Sequence, residues 1–542
     1  MTRVGLIAIA VKNSVCLFLE VKREYLHETG IKCDGFLVLP PPRGTYQPRK
    51  VSNRPLLPNG QSNINVSLVT GEVGKSRFQS PEEHRFFQLF IAKSLTHLSG
   101  FYDPSLWNQI VLQVSEQEES IRHAVISIGA LDMSAIAGRA RRKGKELDDH
   151  HVFALKQYSK AINALRQKAE VLGAKYDLRT ALVASLLIIC FETYHGNWES
   201  ANRQTKAAMR LLESPSKGLT TSRKEYEIEG ELARAFDRLD TQSMCERDIY
   251  TLSEHMYFQN CHADALAAMP VVIEDIATAR NYFGFIIRQT IHFACAFWMV
   301  HTPTPSPTEP SVRYVHLDMA VPCTSADYLT MKVIKLGQLE RWMAASGPLF
   351  EMKMRKKSTK DRLAVVALRA QYLMAYIMLR ALGTMREMDY DEYLEEFREI
   401  VDLCAELESH CGPSKLNKGD GESEVYVFDM QSVMPLDFIA RKCRDPILRR
   451  RAIRLLKARP RRELFWDSVV AARVCEWVVE VEEEGLVDGL VKEENRARGI
   501  ALGPEHRGVA TGPEVESDDE VKSVKVWCTL GTGEKREGIV VW

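Results

Sequence analysis

The sequence predicts an all-α protein: a multi-helix, bundle-like body with a disordered N-terminal linker and a disordered C-terminal tail. Three observations predict it. Apolar residues recur at helical spacing from about residue 80 to about residue 485, as at Leu155, Tyr158, Ile162 and Leu165. No series of alternating short strands breaks that region. Helix punctuation is also present. Ser80-Pro81-Glu82-Glu83 offers a cap, a first-turn proline and a returning glutamate, and His195-Gly196 offers a glycine stop.

Composition narrows the class. A chain of 542 residues has room for roughly two to four domain-sized units. Hydrophobic content of 45% and charged content of 27% are those of a soluble globular protein. The 72 basic and 72 acidic residues cancel, so no global field draws the chain to nucleic acid or membrane. Any DNA affinity must come from a local basic patch. The 12 cysteines are scattered without a C-x-x-C pair, which signals neither a metal framework nor a redox motif. Cys190, Cys295 and Cys475 sit in apolar runs as small hydrophobes, which suits a reducing compartment.

The elements follow in order. Met1 to Val21 is apolar but broken by Lys12 and Asn13. Only about four apolar residues precede Ala8-Ile9-Ala10, and a signal sequence needs roughly 7 to 15. Residues 37–79 read as a flexible linker, because Pro40-Pro41-Pro42 and Pro55 to Pro58 prevent continuous helix or sheet. Val69 to Ser76 fails as a phosphate loop: Val69 stands where the first glycine belongs, and no helix opens at Lys75. Ala181 to Phe191 is apolar on all sides and predicts a helix buried inside a bundle. Asp361 to Leu382 places Leu363, Val366, Ala370, Leu373 and Ile377 along one side. Tyr393 to Leu407 and Trp466 to Val481 continue the pattern. Pro303, Pro305, Pro307 and Pro310 make an exposed loop. No later stretch reaches the roughly 18 uncharged apolar residues of a membrane helix. Residues 491–542 read as an acidic, largely disordered tail around Glu516 to Glu520. The final Gly538 to Trp542 either docks as an edge strand or hangs free.

One short motif points to a lineage. Thr29-Gly30-Ile31-Lys32-Cys33-Asp34-Gly35-Phe36 resembles the end of the binuclear zinc cluster of fungal transcription factors. Four later segments resemble that family's regulatory region in order and spacing. They are Phe101-Tyr102-Asp103 through Gly129-Ala130-Leu131, Tyr158 to Ile162 through Trp198, Tyr390 to Phe397, and Cys443-Arg444-Asp445-Pro446 through Trp466-Asp467-Ser468. The resemblance divides the chain into a zinc-cluster remnant (1–36), the linker (37–79), an all-α regulatory domain (80–490) and the tail (491–542). It implies a nuclear regulator of RNA polymerase II transcription that docks a zinc-held helix in the major groove, with dimerisation setting half-site spacing. It also implies transcription-machinery partners, no membrane and no catalytic residues.

The remnant departs from the family pattern. The ending C-x2-C-x6-C places ligands at positions 26 and 23, which hold Leu26 and Arg23. A zinc ion needs four tetrahedral ligands. Cys33 is therefore a vestigial ligand position, and this chain as written binds no zinc. Two readings follow. The first is a DNA-binding factor whose missing cysteines belong to another exon. The second is a zinc-less helical interaction protein that regulates without touching DNA.

Other candidates carry less. Arg139, Arg141, Arg142, Lys143 and Lys145 form a candidate nuclear import signal or a solvated loop. Arg441 to Arg462 holds eleven basic residues and one acid, Asp445, and reads as an exposed helix and turn rather than a phosphate surface. Asp148-Asp149-His150-His151 has metal-ligand residue types, but adjacent helical residues point about 100° apart. Trp107, Trp198 and Trp466 are packing anchors. Gly129 and Gly196 serve close approach or a helix stop. Arg122 and Glu192 are candidates for a buried ion pair. No H-E-x-x-H, G-x-S-x-G or dinucleotide fingerprint occurs, so no enzyme is expected.

Overall fold

A computed structural model of the chain describes residues 77–137, 149–172, 177–213, 223–301, 313–314, 325–356, 360–384, 386–410, 425–484, 486, 489–509 and 520–542. Cys33, the five residues of the import candidate, nearly all of the linker, the loop at Pro303 to Pro310 and the acidic Glu516 to Asp519 lie outside these residues.

Sixteen helices are described, and the first seven build one layer. They are α1 (81–99), α2 (106–117), α3 (Glu119–Ala137), α4 (Asp149–Leu172), α5 (Leu178–His195), α6 (Trp198–Glu213) and α7 (Arg223–Glu246). The start of α1 is the predicted one. Ser80 accepts the Glu83 N–H at 3.2 Å. The Glu83 carboxylate accepts the Gln79 N–H at 2.8 Å, so the box closes one residue earlier than the sequence suggests. At Gly129 on α3, a Cβ would lie 2.3 Å from the Phe86 carbonyl oxygen of α1. Only glycine permits that approach. In α5 every residue from Thr180 to Tyr194 is buried, as the all-round apolar pattern predicts. Gly196 ends the helix at φ 96°, and the Gly196 and Asn197 N–H groups both donate to the Glu192 carbonyl.

A second group packs beside the first. It comprises α8 (Leu252–Phe258), α9 (Ala263–Ala267), α10 (Ile276–His301), α11 (Ala326–Met354), α12 (Lys360–Ala381), α13 (Leu394–His410), α14 (Val433–Lys442), α15 (Pro446–Ala458) and α16 (Ser468–Glu483). Three apolar cores result. One lies among α1 to α7 and takes in Tyr426, Phe428, Leu464 and Phe465, one joins the end of α7 to α12 through α16, and one joins α10, α11 and α12. Helices α5, α10 and α12 are long and apolar enough to cross a membrane by length and composition, yet most of each is buried in these cores.

Two small sheets complete the fold. In one, β2 (Val425–Val427) runs parallel to β3 (Arg461–Glu463), which pairs antiparallel with β4 (Trp466–Asp467). The other corrects the expected tail. β5 (Ala497–Val509), β6 (Glu520–Leu530) and β7 (Lys535–Val541) form an antiparallel meander, with β1 (Arg313–Tyr314) on the outer side of β5. Val524, Val526, Cys528 and Val540 make a fourth core against Val474 and Val478 of α16. The sheet forms because alternate residues of β6 are apolar, a period-2 signal hidden between charged neighbours. Gly538 to Val541 takes the edge-strand option.

Candidate functional site

The most developed internal site is a cavity between α7, α10, α12 and α14, enclosing about 100 Å³. Three helix faces converge on it at helical spacing. Arg238, Thr241 and Gln242 come from α7. On α10, Arg280, Phe283, Gly284, Ile287, Thr290 and Ile291 lie on one stripe. Leu368, Gln371, Met374 and Met378 come from α12. The segment after β2 closes one end with Asp429 and Met430. That segment is held from two sides: Gln242 donates to the Phe428 carbonyl at 3.3 Å, and Gln371 donates to the Met430 carbonyl at 2.7 Å.

One end of the cavity is charged and the rest is apolar. Arg238 Nε donates to Asp429 Oδ1 at 3.0 Å. Arg280 pairs with the same oxygen, and its guanidinium stacks 3.7 Å from the centre of the Tyr102 ring. Burial and the facing Arg280 charge push the Arg238 guanidinium down to about 10, although Asp429 opposes this. Burial pushes the Tyr102 hydroxyl well above the usual tyrosine range, so it stays neutral. The arrangement has shape and polar anchoring for a ligand. It does not bring a nucleophile together with a base.

A second cluster lies on α8, α10 and the segment just after α7. Asp248, His255 and Cys295 bring ligand-type atoms within 4.8 Å of one another. Both ring nitrogens of His255 are engaged, however. Nε2 meets Asp248 Oδ2 at 2.8 Å and Nδ1 meets His292 Nδ1 at 2.8 Å. His292 in turn reaches Asp240 at 3.2 Å. The cluster reads as a buried hydrogen-bonded chain tying three helices together.

The basic run Arg441 to Arg462 needs correction. Arg441, Lys442, Arg444, Arg449, Arg461 and Arg462 are buried rather than exposed. Lys442 and Arg444 share Glu387 at 2.9 and 3.1 Å, and Arg444 and Arg449 share Glu482 at 2.7 and 2.8 Å. Burial works against the Glu482 charge, but Arg444 and Arg449 outweigh it and hold its carboxyl below the usual range. Arg450, Arg451 and Lys457 pair at the surface with Glu483, Asp402 and Glu476. The acids come from α13, α16 and the turn before α13, distances that sequence spacing does not reveal. Arg122 and Glu192 do not pair. Arg122 caps Ser115 and Glu116 carbonyls, and Glu192 accepts from Tyr158 at 2.5 Å. His150 lies against the Phe86 ring and His151 against the His195 ring. Trp107 and Trp198 are buried anchors, packing on Phe428 and Phe465.

The cavity residues carried little sequence signal. Arg280, Gly284 and Thr290 interrupt an apolar helix on its inner face, which is the one hint available.

Taken together, this is a helical body with a small cavity and an ion network inside its packing. Residues 85–247 match the model described as fungal specific transcription factor domain, so this part of the chain is similar to that family. The match runs from within α1 to the end of α7, the helices that supply most of the first core. It supports a fungal transcription regulator. Neither the curated proteins nor the solved structures give a match.

Proposed function

We propose that this protein is a nuclear regulator of RNA polymerase II transcription, with the all-α body as its regulatory part. The observation that carries the reading is the match of residues 85–247 to the fungal specific transcription factor domain. Its helices pack without a break onto α8 to α16, so a change in the second group reaches the first through shared cores. The body recruits the transcription machinery and provides a surface for homodimerisation. DNA contact through a zinc-held helix requires a complete cluster, and Leu26 and Arg23 occupy two of its ligand positions.

The test joins the full chain to a heterologous DNA-binding domain and measures a reporter placed behind that domain's site. A several-fold change over the DNA-binding domain alone is expected. No change in either direction would defeat the regulatory reading. A fluorescent fusion should concentrate in the nucleus, and substituting Arg141, Arg142 and Lys143 together should release it to the cytoplasm.

The second reading is a zinc-less interaction protein that regulates without touching DNA, and Leu26 and Arg23 favour it for this polypeptide. Metal analysis of the purified full chain should find no stoichiometric zinc. DNA binding should be absent at low salt. Two zinc ions per chain would remove this reading.

A further inference from the structure

We infer that the cavity between α7, α10, α12 and α14 binds a small amphipathic molecule carrying one negative charge. This goes beyond the transcriptional reading and does not depend on it.

Three observations carry the inference. The first is charge. The lining holds two cations, Arg238 and Arg280, and one anion, Asp429, so the site has a surplus of one positive charge. Both arginines converge on a single oxygen of that carboxylate. Nη2 of Arg280 is buried, and the carboxylate oxygen it meets is shared with Arg238. A buried cation without full compensation is costly, and an anionic group beside it removes that cost.

The second is a set of polar atoms with nothing to bond. Gln242 and Thr290 line the cavity and are only 2% and 8% exposed. Oε1 of Gln242 and Oγ1 of Thr290 make no hydrogen bond within the protein. The Gln242 amide nitrogen is committed to the Phe428 carbonyl, which fixes the orientation of that side chain and leaves the oxygen as an acceptor. Natural cores rarely strand two such atoms beside the same space.

The third is the shape and character of the rest. Met374, Met378, Met430 and Met434 supply four flexible, polarisable side chains to the wall. On α10, Gly284 lines the cavity, and a Cβ built there meets no heavy atom within 4 Å. Glycine weakens a helix interior. At position 284 it keeps open a space that any side chain would enter. An apolar cavity of about 150 Å³ is large enough for benzene, so this one, at about 100 Å³, suits roughly four to five non-hydrogen atoms. The ligand thus has a short apolar body beside the methionines, an anionic head at Arg280 and a hydrogen-bond donor for Gln242 or Thr290. A short-chain hydroxy-acid has that chemistry.

The experiment uses the full chain with its methionine methyl groups labelled with carbon-13, titrated with propanoate, propan-1-ol and propylammonium. Propanoate should shift the signals of the four lining methionines saturably. It should bind about tenfold or more tightly than propylammonium. Gly284→Leu should fold, shown by unchanged far-ultraviolet dichroism, and should lose propanoate binding. If that variant misfolds, Gly284→Ala takes its place and should weaken binding several-fold. Arg280→Met should bring propanoate down to the level of propan-1-ol. The inference is overturned by any of three results: no saturable shift with propanoate, equal response to all three probes, or binding that the Gly284 variant leaves intact.

Discussion

At Gly129 the backbones of α3 and α1 approach so closely that a methyl group would meet the Phe86 carbonyl oxygen at 2.3 Å. Gly129→Ala should therefore force the helices apart and cost about 1–3 kcal/mol, read as a lower denaturation midpoint. An unchanged midpoint would show that α1 slides freely over α3. The Glu192 carboxyl offers a second test at this scale. Burial pushes it up to about 7 from 4.5, with the hydrogen bond from Tyr158 pulling the other way. The folded state then holds a proton across a window where the unfolded chain has lost it. The resulting stability is complete below about 4.5 and is lost as pH rises through about 7. Glu192→Gln mimics the protonated form, so it should flatten the stability decline between about pH 5 and pH 8 by on the order of 3 kcal/mol. Equal slopes in the two proteins would mean that Glu192 is ionised when folded. Both residues stood out in the sequence, Gly129 for close approach and Glu192 as half of an ion pair. The first role is the real one. The second is not, because the nearest partner in space is Tyr158, 34 residues away along the chain.

At the scale of elements, the most consequential contact is made by Glu463 at the end of β3. Its carboxylate accepts the N–H groups of Gln431, Ser432 and Val433, buried donors at the start of α14 that the helix itself cannot pair, and pairs with Arg461 at 3.3 Å. A helix start buried in protein needs such an acceptor. Glu463→Gln should lose about 1–3 kcal/mol, because a neutral amide is a weaker acceptor for these buried N–H groups, while Arg461 keeps its pair with Glu408 at 2.9 Å. The half-exposed pair of Lys457 and Glu476 provides the contrast. Glu476→Gln should change stability by less than about 1 kcal/mol. Urea denaturation of the two variants side by side decides whether burial sets the difference. Helix caps such as Ser80 and Gly196 were legible in the sequence, since a cap lies within four residues of what it caps. The cap on α14 was not, since Glu463 arrives from a strand about thirty residues later and through the fold alone.

The whole molecule is decided by which cores meet. The C-terminal sheet covers Val474 and Val478 of α16, and Gly538 on β7 lies against Trp477, whose indole nitrogen would be 2.3 Å from a Cβ at that position. Gly538→Val should lift β7 from α16. Hydrogen exchange should then accelerate across 520–541 while the helices of residues 81–246 keep their protection. Uniform loss of protection would show instead that the sheet is needed for the entire fold. An edge strand freed in this way also exposes unpaired backbone, so dye binding and self-association should rise with it.

The sequence by itself determined the all-α body, most helix positions and the buried character of α5. Each of these rests on local signals: a 3.6-residue period, a cap within one turn, a run of apolar residues. Only the tertiary structure decided the rest. It turned a basic run into a buried ion network, folded the expected tail into a sheet, and gathered Arg238, Arg280, Gly284 and Asp429 around one cavity. Those outcomes depend on residues up to about 190 positions apart meeting in space. No periodicity or spacing within one segment encodes such a meeting; it follows from how the helices cross and which faces they must bury.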